Sequence, residues 1–231
     1  MKRTFLVSTF VVLAAASRAN TFGNISMTHH AGVIFLLEAL IYTDTDQRTL
    51  TSLPDVSKIL SQNRRNRAEG TVTVQSIPGG IGVTFSHLLK AAVEPNNEDG
   101  VIASYRASQN VTISKATKFR FRSNYSYQTD SPMENHSSVF FVWNNTLGKQ
   151  AYLGSNDPFA KQGSRDDTVI LSPGQYSFNW DVEHQLPNTD PTTTTTMSAN
   201  GSWSYQVVPE PFSLLALAAG VVSLSNRRRC R

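Results

Sequence analysis

The sequence predicts a mainly β protein, an antiparallel β-sandwich of the jelly-roll or immunoglobulin-like kind with an address segment at each end. Three observations lead to this prediction. Apolar and polar residues alternate along several short segments after Gly70. Clusters of turn-forming residues such as Pro78-Gly79-Gly80 separate those segments. The chain of 231 residues is long enough for one domain with a buried core, plus appendages.

The first 19 residues have the layout of a secretory signal peptide. Lys2 and Arg3 form a positive start, and an uncharged, mostly apolar stretch of 13 residues follows from Thr4 to Ala16. That stretch is short for a transmembrane helix, which needs about 20 residues. Small residues offer signal peptidase a cleavage point after Ala16 or after Ala19. We therefore expect residues 1–19 to be removed and residues 20–207 to form an exported body.

The part of the body before Gly70 has mixed signals. Gly32–Tyr42 is an apolar run broken by a single glutamate, which fits either a buried strand or a short helix. Pro54–Arg67 predicts a helix, because its apolar residues stand three and four positions apart and Pro54 is tolerated in a first turn. Ser86–Val93 predicts one or two further helical turns.

Period-two alternation predicts strands through the rest of the body. The pattern is clearest in Gln175–Glu183 and recurs in Ser202–Val207 and Thr117–Arg122. Weaker strand candidates are Thr71–Gln75, Ile81–Phe85, Val101–Tyr105, Val111–Ser114, Ser138–Trp143 and Thr168–Leu171. Between the last two clear strands, Leu186–Gly201 is polar and is predicted to be a long mobile loop.

Residues 208–231 form the second address segment, in three parts. They are Val208-Pro209-Glu210-Pro211, an apolar run from Phe212 to Leu224, and a tail with Arg227, Arg228, Arg229 and Arg231. A helix in such a run can enter a membrane while the arginines stay on the cytoplasmic side. This arrangement resembles the PEP-CTERM sorting signal of Gram-negative bacteria. The resemblance covers this segment alone and does not extend to the body.

The resemblance implies an exosortase substrate. Pro209, Glu210 and Pro211 would be the recognition residues, and exosortase, a membrane protease-transpeptidase, would remove the tail. Members of the family are typically exported by organisms that make extracellular polysaccharide. The resemblance therefore implies a chain held transiently in the inner membrane by a transmembrane sorting helix and then delivered to the cell surface or extracellular matrix. A permanent anchor whose tail is never cleaved is the alternative.

The charge of the body argues against nucleic acid as a partner. From Asn20 to Val208 there are 14 basic and 16 acidic residues, so the formal charge of +4 of the whole chain comes from its two ends. A nucleic-acid binder needs a basic surface to neutralise phosphates. The single cysteine, Cys230, excludes an internal disulfide and a multi-cysteine zinc site.

Two sets of charged residues are candidate glycan-contacting or catalytic groups. Lys118, Arg120 and Arg122 alternate along one predicted strand, so they share a face that could hold an anionic polysaccharide. The alternative is a solvent face whose charges protect a sheet edge. Asp181 and Glu183 also share a face, and a pair of carboxylates is what a glycoside hydrolase uses. Their alternative is the solvent side of an edge strand.

Metal binding has only an incomplete signature. Oxygen ligands for calcium could come from Asp44 with Asp46, or from Asp157 with Asp166 and Asp167. Neither group has the glycine and the distal glutamate of an EF-hand loop. We therefore predict no metal and no cofactor, with calcium as the alternative.

These observations lead us to expect a non-enzymatic extracellular protein with a structural or glycan-associated role. Its partners would be signal peptidase, exosortase and extracellular polysaccharide. A secreted carbohydrate-active hydrolase is the alternative from another class. The sequence has neither the G-x-S-x-G nor the G-x-G-x-x-G pattern, so the two commonest α/β enzyme signatures are absent.

Overall fold

The computed structural model describes residues 20–35, 40–63, 65–92, 98–131, 135–155, 161–187 and 194–209. These residues form twelve β-strands and no helix. The strands are β1 (Thr21–Phe35), β2 (Leu40–Leu50), β3 (Asp55–Asn63), β4 (Asn66–Ile77), β5 (Gly80–Ala92), β6 (Glu98–Ile113), β7 (Thr117–Thr129), β8 (Asn135–Asn144), β9 (Lys149–Ser155), β10 (Gln162–Leu171), β11 (Gly174–Pro187) and β12 (Thr194–Val207). The predicted signal peptide and the predicted sorting helix lie outside the described residues.

The strands form two six-stranded antiparallel sheets, which confirms the predicted β-sandwich. The first sheet has the order β2-β1-β6-β11-β8-β9 and the second β10-β7-β12-β5-β4-β3. β8 pairs with β9, β7 with β10, β6 with β11 and β5 with β12. The chain from β5 onward is thus a set of nested hairpins around the β8–β9 turn. β1 and β2 extend the first sheet, and β3 and β4 extend the second.

Two apolar clusters fill the space between the sheets. The aromatic cluster includes Phe119, Phe121, Phe140, Phe178, Trp180, Trp203 and Tyr205. The second cluster has mainly smaller side chains and includes Ala31, Ile59, Leu89, Ala103, Leu186 and Met197. Two buried polar groups of the aromatic cluster have partners: Trp203 Nε1 donates to Ser138 Oγ at 2.7 Å, and Tyr205 Oη donates to Gln109 Oε1 at 2.5 Å. Burial of these rings removes much apolar surface from water and holds the sheets together.

Four buried histidines stand between the two clusters, and we call them the histidine layer: His29, His87, His136 and His184. The position of each histidine along its strand explains why it lies between the two clusters. On β1, β5 and β11 the residue two positions before the histidine belongs to the aromatic cluster, and the residue two positions after it belongs to the second cluster. Inward-facing positions alternate along a strand, so this spacing puts the layer across the middle of the sandwich.

The helix predicted over Pro54–Arg67 is wrong, because this segment is β3 and the start of β4. Ile59 faces the core, whereas Val56 and Leu60 are 49% and 48% exposed. The apolar spacing that indicated a helix therefore combines residues from both faces of a strand. The strand is favoured because β3 pairs with β4 along its whole length.

Two further segments, one predicted as helical turns and one as a loop, also contain strands. The helical turns predicted in Ser86–Val93 are wrong as far as Ala92, which ends β5. Leu186–Gly201, predicted as a mobile loop, contains the end of β11 and the start of β12, and its residues 188–193 lie outside the described residues. β12 has a neighbouring strand on both sides, so pairing fixes its polar residues. Gly32–Tyr42 runs from β1 into β2, so the strand alternative is confirmed for its described residues.

The clearest strand predictions are confirmed, and two weaker candidates prove to be parts of one strand. Gln175–Glu183 lies in β11, Ser202–Val207 in β12 and Thr117–Arg122 in β7. The two candidates Val101–Tyr105 and Val111–Ser114 belong almost entirely to one long strand, β6. β9 was not predicted, because its seven residues show no clean alternation.

Candidate functional site

A recess of about 660 Å³ lies on the outer face of the first sheet. Strand register places its side chains in rows across the sheet. One row runs through Gln47, Thr28, Arg106, Asp181 and Val139. The next runs through Thr49, Ser26, Ser108, Asn179, Phe141 and Leu153. Because outward and inward residues alternate along each strand, these side chains point away from the buried aromatic cluster.

One arginine joins the two carboxylates that the sequence analysis selected. Arg106 Nε lies 3.2 Å from Asp181 Oδ1, and Arg106 Nη2 lies 3.5 Å from Glu183 Oε2. The predicted shared face of the two acids is thus correct. β11, however, is an inner strand flanked by β6 and β8, so the edge-strand interpretation is wrong.

The surroundings of Asp181 and Glu183 differ from those of a glycosidase acid–base pair. Such a pair needs one carboxyl whose pKa is raised by an apolar environment, and the other kept ionised. Here both carboxylates contact the same guanidinium and remain partly exposed. Both acids therefore share one polar environment.

Two aromatic residues of β8 lie on the outer face of the first sheet, and one of them, Phe141, lines the recess. Phe141 lies beside Asn179 on one side and Leu153 on the other. Trp143, two residues further along β8, lies beside Ser177 and is 40% exposed. Flat rings thus stand next to amide and hydroxyl groups on the same face.

A small hydrogen-bond network holds the polar groups beside Trp143. Asn145 Nδ2 donates to Ser177 Oγ at 2.9 Å, and Ser177 Oγ donates to Asn110 Oδ1 at 3.2 Å. Amides and hydroxyls can both donate and accept, and a ring can cover an apolar patch. This combination suits a ligand that carries hydroxyl groups around an apolar face.

Lys118, Arg120 and Arg122 lie on β7, on the outer face of the second sheet, away from this recess. Asp166 on the neighbouring edge strand β10 binds two of the three cations. Arg120 Nε donates to its Oδ1 at 2.6 Å, and Arg122 Nε donates to its Oδ2 at 3.3 Å. The hydrogen bond from Arg120 holds the pKa of Asp166 below its ordinary value. Asp166 therefore compensates one of the three positive charges that favoured an anionic ligand.

The acids considered for calcium bind protein groups instead. Asp44 Oδ2 accepts the backbone N–H of Leu60 at 2.8 Å, and Asp46 Oδ2 accepts from Ser57 at 2.6 Å. Asp167 accepts from the Tyr152 hydroxyl at 2.8 Å. Asp157 lies outside the described residues. Within the described ranges, no three His, Cys, Asp or Glu residues are placed to hold a metal ion together.

The two ends of the described body meet at the start of β7. Asn20 Nδ2 donates to Thr117 Oγ1 at 3.1 Å, and the Val208 N–H donates to the Lys118 carbonyl at 2.8 Å. Of the predicted sorting residues, only Pro209 is described, directly after β12. Glu210, Pro211 and the arginines of the tail lie outside the described residues. No helix in the described ranges is long and apolar enough to span a membrane.

The outward rings of β8 are the functional candidates that the sequence analysis missed. It predicted Ser138–Trp143 as a strand without assigning its faces. The signal was the unbroken apolar run Val139–Trp143. In a sheet with one solvent face, such a run must leave alternate apolar residues exposed. The run therefore indicated an exposed aromatic surface, although not which rings would form it.

The comparisons with known proteins give no family. No family model matches the sequence, and no curated protein does. The enzymatically active domain of bacteriophage CBA120 tailspike protein 4 has a TM-score of 0.27 at 8% identity and covers 60% of this chain. The match spans only 19% of that protein's chain.

Two other solved structures are similarly distant. A structure described as "CBM4 structure and function" has a TM-score of 0.22 at 11% identity, covering 64% of this chain and 88% of that one. Infectious bursal disease virus, Gt strain, has a TM-score of 0.22 at 11% identity, covering 91% and 74%. Likenesses this slight carry no argument about function.

Proposed function

We propose that this chain is an exported Gram-negative surface or matrix protein, processed by exosortase, whose sandwich binds extracellular polysaccharide without cleaving it. The single observation that carries the binding role is the outer face of the first sheet. There Phe141 lines a recess together with hydroxyl, amide and guanidinium groups, and the exposed Trp143 lies two residues further along the same strand. Sugars present hydroxyls at their edges and apolar C–H groups on their faces, so this surface complements them.

The export role rests on the two address segments and on the position of the body's ends. A leader over residues 1–19 and a PEP-CTERM-like segment over residues 208–231 would place the body outside the inner membrane. Asn20 and Val208 both bind the start of β7, so leader and sorting helix would leave the sandwich at one end. In this arrangement the recess on the first sheet stays open to the surroundings.

We also infer that the sandwich is a jelly roll rather than an immunoglobulin-like fold. The nested pairing from β5–β12 to β8–β9 supports this, because a jelly roll is a long antiparallel ribbon rolled into two sheets. On this view β1 to β4 are an extension before the roll. The extension matters for binding, because β1 and β2 supply one side of the recess.

The binding role is tested by affinity electrophoresis in gels that contain a soluble neutral or acidic polysaccharide. We expect retardation of the natural protein by at least one polysaccharide. Trp143→Ala and Phe141→Ala should each weaken binding about tenfold, equivalent to ~1.4 kcal/mol. Ile170→Ala is the matched control, because Ile170 is an apolar residue 68% exposed on the second sheet. Unchanged binding in both aromatic variants would contradict the proposed surface.

The same proteins and polysaccharides distinguish this proposal from its alternatives. Replacing Lys118, Arg120 and Arg122 together by alanine should leave binding intact; loss of binding would move the site to the second sheet. Incubation with the polysaccharide should release no sugars. Release that disappears in Asp181→Asn or Glu183→Gln would instead establish a hydrolase.

A further inference from the structure

The histidine layer brings titratable rings from both sheets into the middle of the buried core. His29 lies on β1, His184 on β11 and His136 on β8 of the first sheet, and His87 lies on β5 of the second. The rings of His29 and His87 are stacked with centroids 5.5 Å apart, and those of His87 and His184 are 5.1 Å apart. His184 and His136 are register partners on neighbouring strands. A continuous file of imidazoles therefore crosses the sheet interface.

The contact between His87 and His184 requires that at least one of the two rings is neutral. Their Nδ1 atoms lie 2.9 Å apart and make a buried hydrogen bond across the two sheets. In a neutral imidazole one nitrogen donates and the other accepts. If either ring gains a proton, a cation is created in the core; if both do, two donors face each other and the bond is lost. One added proton therefore places a charge in the core, and a second added proton removes this hydrogen bond between the sheets.

His29 is held in one tautomer by a relay of hydrogen bonds. Ser57 Oγ donates its only proton to Asp46 Oδ2 at 2.6 Å, so His29 Nδ1 must donate to Ser57 Oγ at 2.9 Å. The proton of neutral His29 is thus on Nδ1, and Nε2 is a bare lone pair. That Nε2 is buried without a hydrogen-bond partner, as is Nε2 of His87. A proton added to His29 would therefore produce an N–H in the core with no acceptor.

Few groups facing the layer could compensate a positive charge. From β2, Asp46 and Asp44 favour protonated His29, but burial outweighs them and lowers its pKa to about 4. Burial also lowers the pKa of His184 to about 3, aided by His136, and that of His87, where His184 and His29 add to the effect. Among the described residues, the ring and register neighbours of the layer carry no charge: Tyr105 from β6, Tyr127 from β7, Phe85 from β5, Gly70 from β4 and Ala199 from β12.

We propose that the histidine layer makes the sandwich acid-sensitive: proton uptake by these rings separates the two sheets, so the fold is stable near neutral pH and is lost in mild acid. The direction follows from linkage. Folded rings with lowered pKa values bind fewer protons than the unfolded chain, whose histidines titrate near 6.5. The contribution of these rings to stability is therefore fully present above about pH 6.5. It declines as the pH falls from there towards the pKa values of the histidines in the folded chain.

The test is the unfolding equilibrium of the purified full chain in urea at pH 7.5 and pH 5, followed by tryptophan fluorescence. Each histidine that stays neutral in the folded state should raise the unfolding constant about 30-fold over this interval. The double variant His87→Leu/His184→Leu removes both partners of one hydrogen bond. Between pH 7.5 and pH 5 its unfolding constant should therefore rise about a thousandfold less than that of the natural chain. Wild-type pH dependence in this variant would overturn the proposal.

A control and a second measurement keep the test decisive. Phe85 contacts the rings of both His87 and His184, with centroids 5.7 Å apart in each case, and carries no proton. Phe85→Leu should lower stability equally at both pH values and keep the wild-type pH dependence. If the double variant does not fold, ring NMR signals of the natural protein replace it. His87 and His184 should not titrate between pH 8 and pH 5 while the chain is folded; titration near pH 6.5 would overturn the proposal.

Discussion

At the residue scale, the fold depends on a few positions where one side chain decides the packing of several others. Gly70 is such a position. A Cβ atom on Gly70 would lie 2.7 Å from His29 Nε2 and 2.7 Å from Cδ2 of His87, which is closer than atoms can approach. The stacked histidines of the two sheets can therefore meet only because β4 has no side chain there.

This packing gives a prediction for Gly70→Ala. The added methyl group must displace two buried rings, so the free energy of unfolding should fall by about 1–3 kcal/mol. Gly82→Ala on β5 is the matched control, because its Cβ would meet no atom closer than 3.5 Å. Urea denaturation at pH 7.5 measures both. Equal stability of the two variants would show that the histidine stack is looser than described.

At the scale of elements, β12 is the strand on which the second sheet depends. It pairs with β5 along one edge and, from Met197 onward, with β7 along the other, so the amides of this part face a partner strand. Edge strand β3 differs: the Leu60 N–H bonds the Asp44 side chain rather than β4. Because such directions alternate along a strand, the N–H of Lys58 also points away from β4.

Proline substitutions distinguish these two environments. Ser198→Pro removes a ladder hydrogen bond from the middle of the sheet and should prevent folding at 25 °C. Lys58→Pro removes an amide that the ladder does not use, so its thermal midpoint should fall by much less. Circular dichroism on both purified variants measures the difference. A cooperative transition in Ser198→Pro close to that of the natural chain would argue that the start of β12 is the mobile loop predicted from its sequence.

Some strands could be predicted from the sequence and others could not, and the difference has physical reasons. β11 was predictable because its apolar residues face one core and its polar residues face solvent. β3 was not, because Val56 and Leu60 are apolar on the outer face and produced a helical spacing. The first half of β12 is polar and is held in place by its neighbours, which local pattern does not encode.

Some features of the candidate site could likewise be predicted from the sequence, and others could not. The shared face of Asp181 and Glu183 follows from period two alone, and the structure agrees. Their contact with Arg106 depends on strand order, since β6 and β11 are far apart in the chain. Phe141 and Trp143 belong to a run that is apolar on both faces, so alternation could not assign them to the surface. Recognition surfaces built across a sheet are thus visible only once the register is known.

At the scale of the whole molecule, the sandwich combines three separate features. The outer face of the first sheet carries aromatic and polar groups, which we propose bind a sugar ligand, and the buried histidine layer is proposed to link stability to pH. The ends of the body meet at the start of β7, close to one another. This closeness agrees with the proposed processing of both ends of the body by signal peptidase and exosortase.

The most direct test of the account is mass spectrometry of the chain recovered from the extracellular fraction of the source cells. The account predicts a mature chain that begins at Asn20, or at Ser17 if cleavage follows Ala16, and that lacks Arg227–Arg231. Deletion of the exosortase should leave the tail attached and the chain in the inner membrane. A cytosolic chain that begins at Met1 and ends at Arg231 would contradict the account.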